Sequence, residues 1–249
     1  MTIEIPAAGY RYIPGVFQYS AGVAALPGFQ IERVTFQTPV PLADGFAFIE
    51  RYMADKAVPL LNFCACELRS PAPFTEAGFI AFNRHYCGTL TRWGVMTGEN
   101  NPVARSNVCP EIDKPAEPSF HAFCFARPMS GASGSFVIAG SGEAEEGHAS
   151  YRERTVRFGD TSADGLREKG IFVLARMEQR MAALGADWSR TTASQVYTVY
   201  DLHPFLQDEI ARRGAARNGL TWHLARPPVQ GLDYEMDCRG VPIERRIGL

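Results

Sequence analysis

The sequence predicts an α+β fold of two tandem units, residues 1–130 and 131–249, each a mixed sheet covered on one face by two helices. Three observations predict it. Each half runs helix, strand, helix, strand in its apolar pattern, although the halves hardly match residue for residue. A Gly/Ser-rich join, Ser130-Gly131-Ala132-Ser133-Gly134-Ser135, falls between them. With 249 residues, 46% hydrophobic and 21% charged, the chain can bury a large core.

The elements follow in order. The first forty residues, rich in Pro, Gly and aromatics, predict a hairpin or an arm packed on the body. Residues 42–57 read as a helix started near Asp44, and 58–68 (VPLLNFCACEL) as a buried strand closed by Arg69-Ser70-Pro71-Ala72-Pro73. Thr75 caps a second helix through Phe79, Phe82, Tyr86 and Leu90 to Trp93, with Gly94 after it. Residues 103–108 and 119–126 (SFHAFCFA) are extended. In the second half 136–139 reads as a strand, with 152–158 (RERTVRF) as its hairpin partner. The clearest stretch is 164–210. Asp164 caps a helix whose apolar stripe holds Leu166, Ile171, Leu174, Met177, Met181 and Leu184, and Gly185 stops it. The β-branched run 191–200 (TTASQVYTVY) is a strand, Asp201-Leu202-His203-Pro204 opens a helix to Arg213, and 233–238 is the last strand.

Composition excludes several classes. A net charge of −2 gives no electrostatic ground for binding nucleic acid or an anionic membrane. No run approaches the roughly 20 apolar residues of a membrane span. The N-terminus lacks a basic segment followed by an apolar core, so the cytoplasm is expected. Six cysteines (Cys64, Cys66, Cys87, Cys109, Cys124, Cys238) form no pair of pairs; Cys64 and Cys66 alternate on one strand and should face the same side as small core residues. The histidines, His85, His121, His148, His203 and His223, show no metal spacing. No metal and no cofactor is expected.

Two residues carry the chemistry. Arg105 is always charged and pairs bidentately with a carboxylate, which suits a small organic acid in a partly dry cleft; the alternative is a surface Arg paired with Glu111, Asp113 or Glu117. Glu235, between Tyr234 and Met236, can have a raised pKa suited to acid/base work. Asp233, Glu235 and Asp237 alternate, so either their shared face is solvated or repulsion makes one a proton carrier. Arg69 and Arg226 are secondary anion ligands or structural. Ser106 and Asn107 can donate beside the clamp. Tyr197 and Tyr200 are core tyrosines or donors to a substrate oxygen. Gly140-Ser141-Gly142-Glu143 lacks the Lys and spacing of a phosphate loop, and Ser141 lacks a nucleophile elbow.

Residues 166–210, with a Gly-Ala turn, a Val-Tyr strand, an Asp-centred turn and a Phe-bearing helix, resemble the Rid (YjgF-type) superfamily of imine deaminases. Pro102-Val103-Ala104-Arg105-Ser106-Asn107-Val108 resembles that family's Pro-Ala-Arg-Ser-x-Val segment, in which the Arg holds the substrate carboxylate. Two such units in one chain are similar to chorismatases, whose catalytic Glu on the C-terminal strand corresponds to Glu235. The resemblance implies a homotrimer with sites between subunits. The chain departs from the pattern in the first unit, where His121 stands nearest the expected Glu, so each half keeps a different part of the site. The expected function is a cofactor-free enzyme that hydrolytically deaminates an imine or enamine acid, with Arg105 as clamp and Glu235 as acid/base. The alternatives are hydrolysis or elimination of an enol-ether acid, and a non-catalytic small-molecule-binding relative.

Overall fold

The computed structural model describes residues 1–132, 134–145 and 150–248, so Ser133 of the predicted join and His148 lie outside the described residues. Among the described residues thirteen strands form two mixed sheets. The first runs β1 (Ile3–Ile5), β2 (Tyr10–Ile13), β3 (Gly22–Ala25), β8 (Phe136–Gly142), β12 (Glu235–Gly240), β9 (Ala193–Tyr197), β10 (Thr221–His223) across its width. The second runs β11 (Ala225–Arg226), β6 (Ala104–Pro110), β5 (Phe63–Arg69), β7 (Ser119–Pro128), β4 (Phe29–Pro41), β13 (Ile243–Ile247). Pairing is antiparallel except at β9/β10, β5/β6 and β4/β13.

The sheets pack face to face with helices outside. Helices α1 (Leu42–Asp55) and α2 (Glu76–Arg92) cover the second sheet, where Phe46, Ile49, Tyr86 and Leu90 share a core with Val34, Phe63, Phe120 and Phe123. Past the short α3 (Tyr151–Arg154), the long α4 (Ala163–Ala183) covers the first sheet, setting Val173, Leu174, Met177 and Met181 against Ile138, Val196, Met236 and Cys238. A third core joins the sheets and is made of smaller side chains: Cys64, Ala65, Ala104, Cys124 and Ala126 meet Val23, Ala25 and Ala139. Small residues let the two backbones approach, leaving longer polar side chains to fill the rest of the gap.

The α+β class and two mixed sheets agree with the expectation. The sheets nonetheless exchange strands across residue 130: β1 to β3 join the sheet of the later residues, and β13 joins the sheet of the earlier ones. The segment 152–158 is not a strand. Ser150 donates to the Glu153 carboxylate through its backbone N–H (3.0 Å) and its hydroxyl (2.8 Å), and this local pairing starts α3. Ser162, rather than Asp164, caps α4, its hydroxyl accepting from the Gly165 N–H at 3.2 Å. Thr75 caps α2 as read. The helix read over 204–213 is a short α-turn, α5 (His203–Phe205), running into a π-wound stretch, Leu206–Ala211. Cys64 and Cys66 face opposite sides, the inter-sheet core and the helix-side core, because β5 bulges against β7 between Phe63 and Ala65. Among the described residues no helix is long and apolar enough to cross a membrane.

Candidate active site

The inter-sheet gap opens into a cleft of about 640 Å³ with Arg105, Asn107 and Glu235 in its wall. Strand β6 supplies Arg105 and Asn107; β12 begins with Glu235, paired to Gly142 of β8 and Tyr197 of β9. The two residues that the sequence assigned to different halves therefore face one space.

Arg105 is 3% exposed, yet it forms no ion pair among the described residues, and its Nε and Nη1 have no hydrogen-bond partner. Its guanidinium lies 4.7 Å from the ring centroid of Tyr86, with Tyr19, Phe82 and Phe79 at 5.6, 5.7 and 5.9 Å. Aromatic faces stabilise the cation without consuming its hydrogen bonds, which stay available to a ligand. The alternative pairing with Glu111 does not occur, because Glu111 accepts from Arg226 at 2.5 Å. Asn107 accepts from Ser70 at 2.9 Å and leaves its Nδ2 without a partner.

Glu235 is buried, and burial first, then the charges of Asp237 and Glu143, push its carboxyl well above the usual range against the opposing pull of Arg69 and Arg105. Its carboxyl occupies space left by Gly140, where a Cβ would stand 2.2 Å from Oε1. Behind it, Glu143 accepts from the backbone N–H of Asp233 at 2.6 Å and of Tyr234 at 3.1 Å. The fully buried Lys169 of α4 pairs with Asp233 and lies 3.5 Å from Glu143. Asp233 is thereby drawn to α4, so the three alternating acids do not share one environment.

Asp237 enters a buried network. Its carboxylate accepts from Gln195 at 2.8 Å and from Tyr197 at 2.9 Å. Burial and Glu67 raise it, while Gln195, Arg239 and Ser106 pull it back. Glu67 accepts from Arg33 at 2.7 Å; against the effect of burial, Arg33 and Arg239 hold it well below the usual carboxylate range. Arg69 lies 3.7 Å from Glu67 and 5.5 Å from the Tyr197 ring, and it does not line the cleft. His121 sits 4.0 Å from Glu67, and burial together with Arg69 holds its pKa down to about 3. His223, stacked 5.0 Å from Tyr197, is held to about 4 by the same two causes. Both rings are neutral near pH 7.

Of the residues read from sequence, Arg105, Asn107 and Glu235 meet in the cleft. Ser106 turns into a small inner cavity beside Asp237, and Arg69, His121 and Tyr197 belong to the buried network. Arg226 is a half-exposed structural partner of Glu111. Sequence reasoning missed Gly140, Glu143, Lys169 and the aromatic rings around Arg105. The only advance signal was the Gly140-Ser141-Gly142 run, which serves as room for a carboxyl.

Comparison with known proteins fits this arginine-lined cleft. Residues 2–245 match the family model described as 2-aminomuconate deaminase CnbZ. The chain belongs to that family. A 2-amino-5-chloromuconate deaminase of Comamonas testosteroni is 52% identical over 234 residues, covering 93% of each chain. A cyanuric acid hydrolase from A. caulinodans is a distant likeness, with a TM-score of 0.40 and 13% identity over 86% of this chain and 67% of that one. The family match overturns the resemblance to the Rid superfamily and its chorismatase relatives: a single CnbZ family model spans nearly the whole chain, and no Rid family matches it. The ground for expecting a homotrimer goes with it. Membership in CnbZ supports a deaminase acting on a small carboxylated substrate.

Proposed function

We propose that the protein hydrolytically deaminates a 2-aminomuconate-type acid, a six-carbon diene with a carboxylate at each end and an amino group beside one of them. The observation that carries this reading is the pairing, in one cleft, of an Arg105 with unused donors and a Glu235 whose burial favours the protonated form. Arg105 binds the carboxylate next to the amino-bearing carbon, bidentately and out of bulk water. Arg154, Arg176 and Arg180 on the cleft wall give the far carboxylate a cationic setting.

The chemistry then needs one proton carrier. Protonated Glu235 delivers its proton to a carbon of the dienamine, and the C–N bond becomes an iminium. Water adds to the nitrogen-bearing carbon while the Glu235 carboxylate takes a proton from the water, giving a carbinolamine. Glu235 returns the proton to nitrogen, the C–N bond breaks, ammonia leaves, and the hydroxyl proton goes back to Glu235 as the 2-oxo acid forms. One water is consumed, one ammonia is released, and Glu235 ends protonated.

The test is ammonia release and loss of diene absorbance with freshly generated 2-aminomuconate, for wild type, Glu235→Gln and Arg105→Ala. Turnover by the wild type that both substitutions remove supports the reading. A folded wild type without turnover, or full activity in both variants, overturns it.

A further inference from the structure

A second cleft, of about 740 Å³, lies at another edge of the inter-sheet gap and shares no residue with the first. Its wall holds Arg33, His121, Arg239, Glu244, Arg245 and Arg246. The positive charge there is only partly matched. Glu244 accepts from Arg33 at 3.0 Å and from Arg239 at 2.7 and 3.1 Å, so one carboxylate serves two guanidiniums. Arg245 lies 3.4 Å from Glu32, and the second partner of Arg33 is Glu67. One paired cation keeps an unused donor, and another has no ion pair among the described residues. Arg239 is 8% exposed, and its Nη1 has no hydrogen-bond partner. Arg246, exposed on β13, forms no ion pair among the described residues. A buried guanidinium N–H without an acceptor is costly, and a cleft that concentrates one sign of charge beside it attracts the counter-ion.

We infer that this cleft is a second anion site, taking a small dianion, dicarboxylate or phosphate, between the unused Nη1 of Arg239 and the guanidinium of Arg246. Gln195 and Thr35 in the same wall provide neutral polar groups that tolerate an anion's remaining oxygens. The sole carboxylate in this wall, Glu244, is already engaged by two arginines and so repels an incoming anion less than a free one would. The inference stands on residues separate from Arg105 and Glu235 and does not depend on the reaction.

The test is calorimetric titration of the full chain with adipate and, separately, with inorganic phosphate. Wild type, Arg105→Ala, Arg246→Ala and Arg246→Glu are compared, each with its thermal melt. Arg246 is exposed, so both of its substitutions should leave the melt unchanged. The expected result is a binding event that survives Arg105→Ala, weakens about tenfold or more in Arg246→Ala, and disappears in Arg246→Glu. Adipate binding alone and binding of both anions each support the site and define its breadth. If neither anion shows an Arg246-dependent event in wild type or in Arg105→Ala, the inference is overturned. An event lost only in Arg105→Ala belongs to the first cleft, and without a second, Arg246-dependent event the inference is overturned.

Discussion

Gly140 and Glu235 are complementary across two hydrogen-bonded strands: the carboxyl of one occupies the volume a side chain on the other would take. A Cβ at 140 would lie 2.2 Å from Oε1 of Glu235 and 3.0 Å from the Cβ of Ser106. Gly140→Ala must therefore displace the carboxyl, by a distance of the order that costs about a hundredfold in rate when a reacting group is misplaced. Steady-state kinetics should show this fall in kcat in a folded protein. An unaffected kcat would mean that the carboxyl position is unimportant.

Stability and activity should part at Arg105. Removing a buried cation that has no ion-pair partner among the described residues relieves desolvation cost, so Arg105→Met should raise the melting temperature by about 2–4 °C. The same substitution should abolish substrate binding. A lowered melting temperature would mean that the surrounding rings hold the cation more favourably than water does.

Activity should follow the protonation of Glu235. A general acid whose pKa is raised works below that pKa, so kcat/KM should fall as pH rises through it, with the slope of one proton. Neither His121, held to about 3, nor His223, held to about 4, should add a limb near the ordinary histidine value. The pH–rate profile of His121→Asn should keep the wild-type shape; a lost limb near pH 6.5 would assign His121 a charge the fold denies it.

Glu143 makes the folded chain lose stability between mildly acid and neutral pH. Burial raises its pKa to about 7, opposed by the N–H groups of Asp233 and Tyr234 and by Lys169. The folded state thus holds this proton more tightly than the unfolded chain, where a glutamate titrates near about 4.3. Its stabilising contribution is complete below that value and is lost as pH rises towards 7. Wild type should lose stability relative to Glu143→Gln across this window, read as the difference between their melting temperatures at successive pH values. A constant difference would mean that Glu143 titrates alike in both states.

The sequence displayed the parts of this molecule that obey a local period. The apolar stripe of α4, the cap at Thr75 and the strand within the β-branched run 191–200 were readable from spacing, and Arg105 and Glu235 stood out as candidates by their side-chain chemistry and by a resemblance that the family match overturns. What escaped depends on distant partners. The bulge that parts Cys64 from Cys66 arises between β5 and β7, and β13 is a strand only because β4 offers it an edge. The rings around Arg105 come from α2 and from Tyr19, residues that read as ordinary core. Gly140 was weighed only as part of a phosphate loop, and set aside, because the carboxyl it accommodates lies 95 positions away. The segment 152–158 was misread because the two bonds from Ser150 to the Glu153 carboxylate outweigh its strand-like alternation.

The exchange of strands between the sheets sets a timetable for the chain during synthesis. The sheet that carries Arg105 must wait for Ile243–Ile247 to cover the edge of β4, while the earliest strands, Ile3–Ile5 to Gly22–Ala25, stay unpartnered on one side until Phe136–Gly142 emerges. Neither half can close while the ribosome still holds the other. A nascent chain paused near its middle would therefore present open β-edges, the form most prone to pair with a neighbour, and the arrival of Ile243–Ile247 at β4 becomes the step that seals the second sheet.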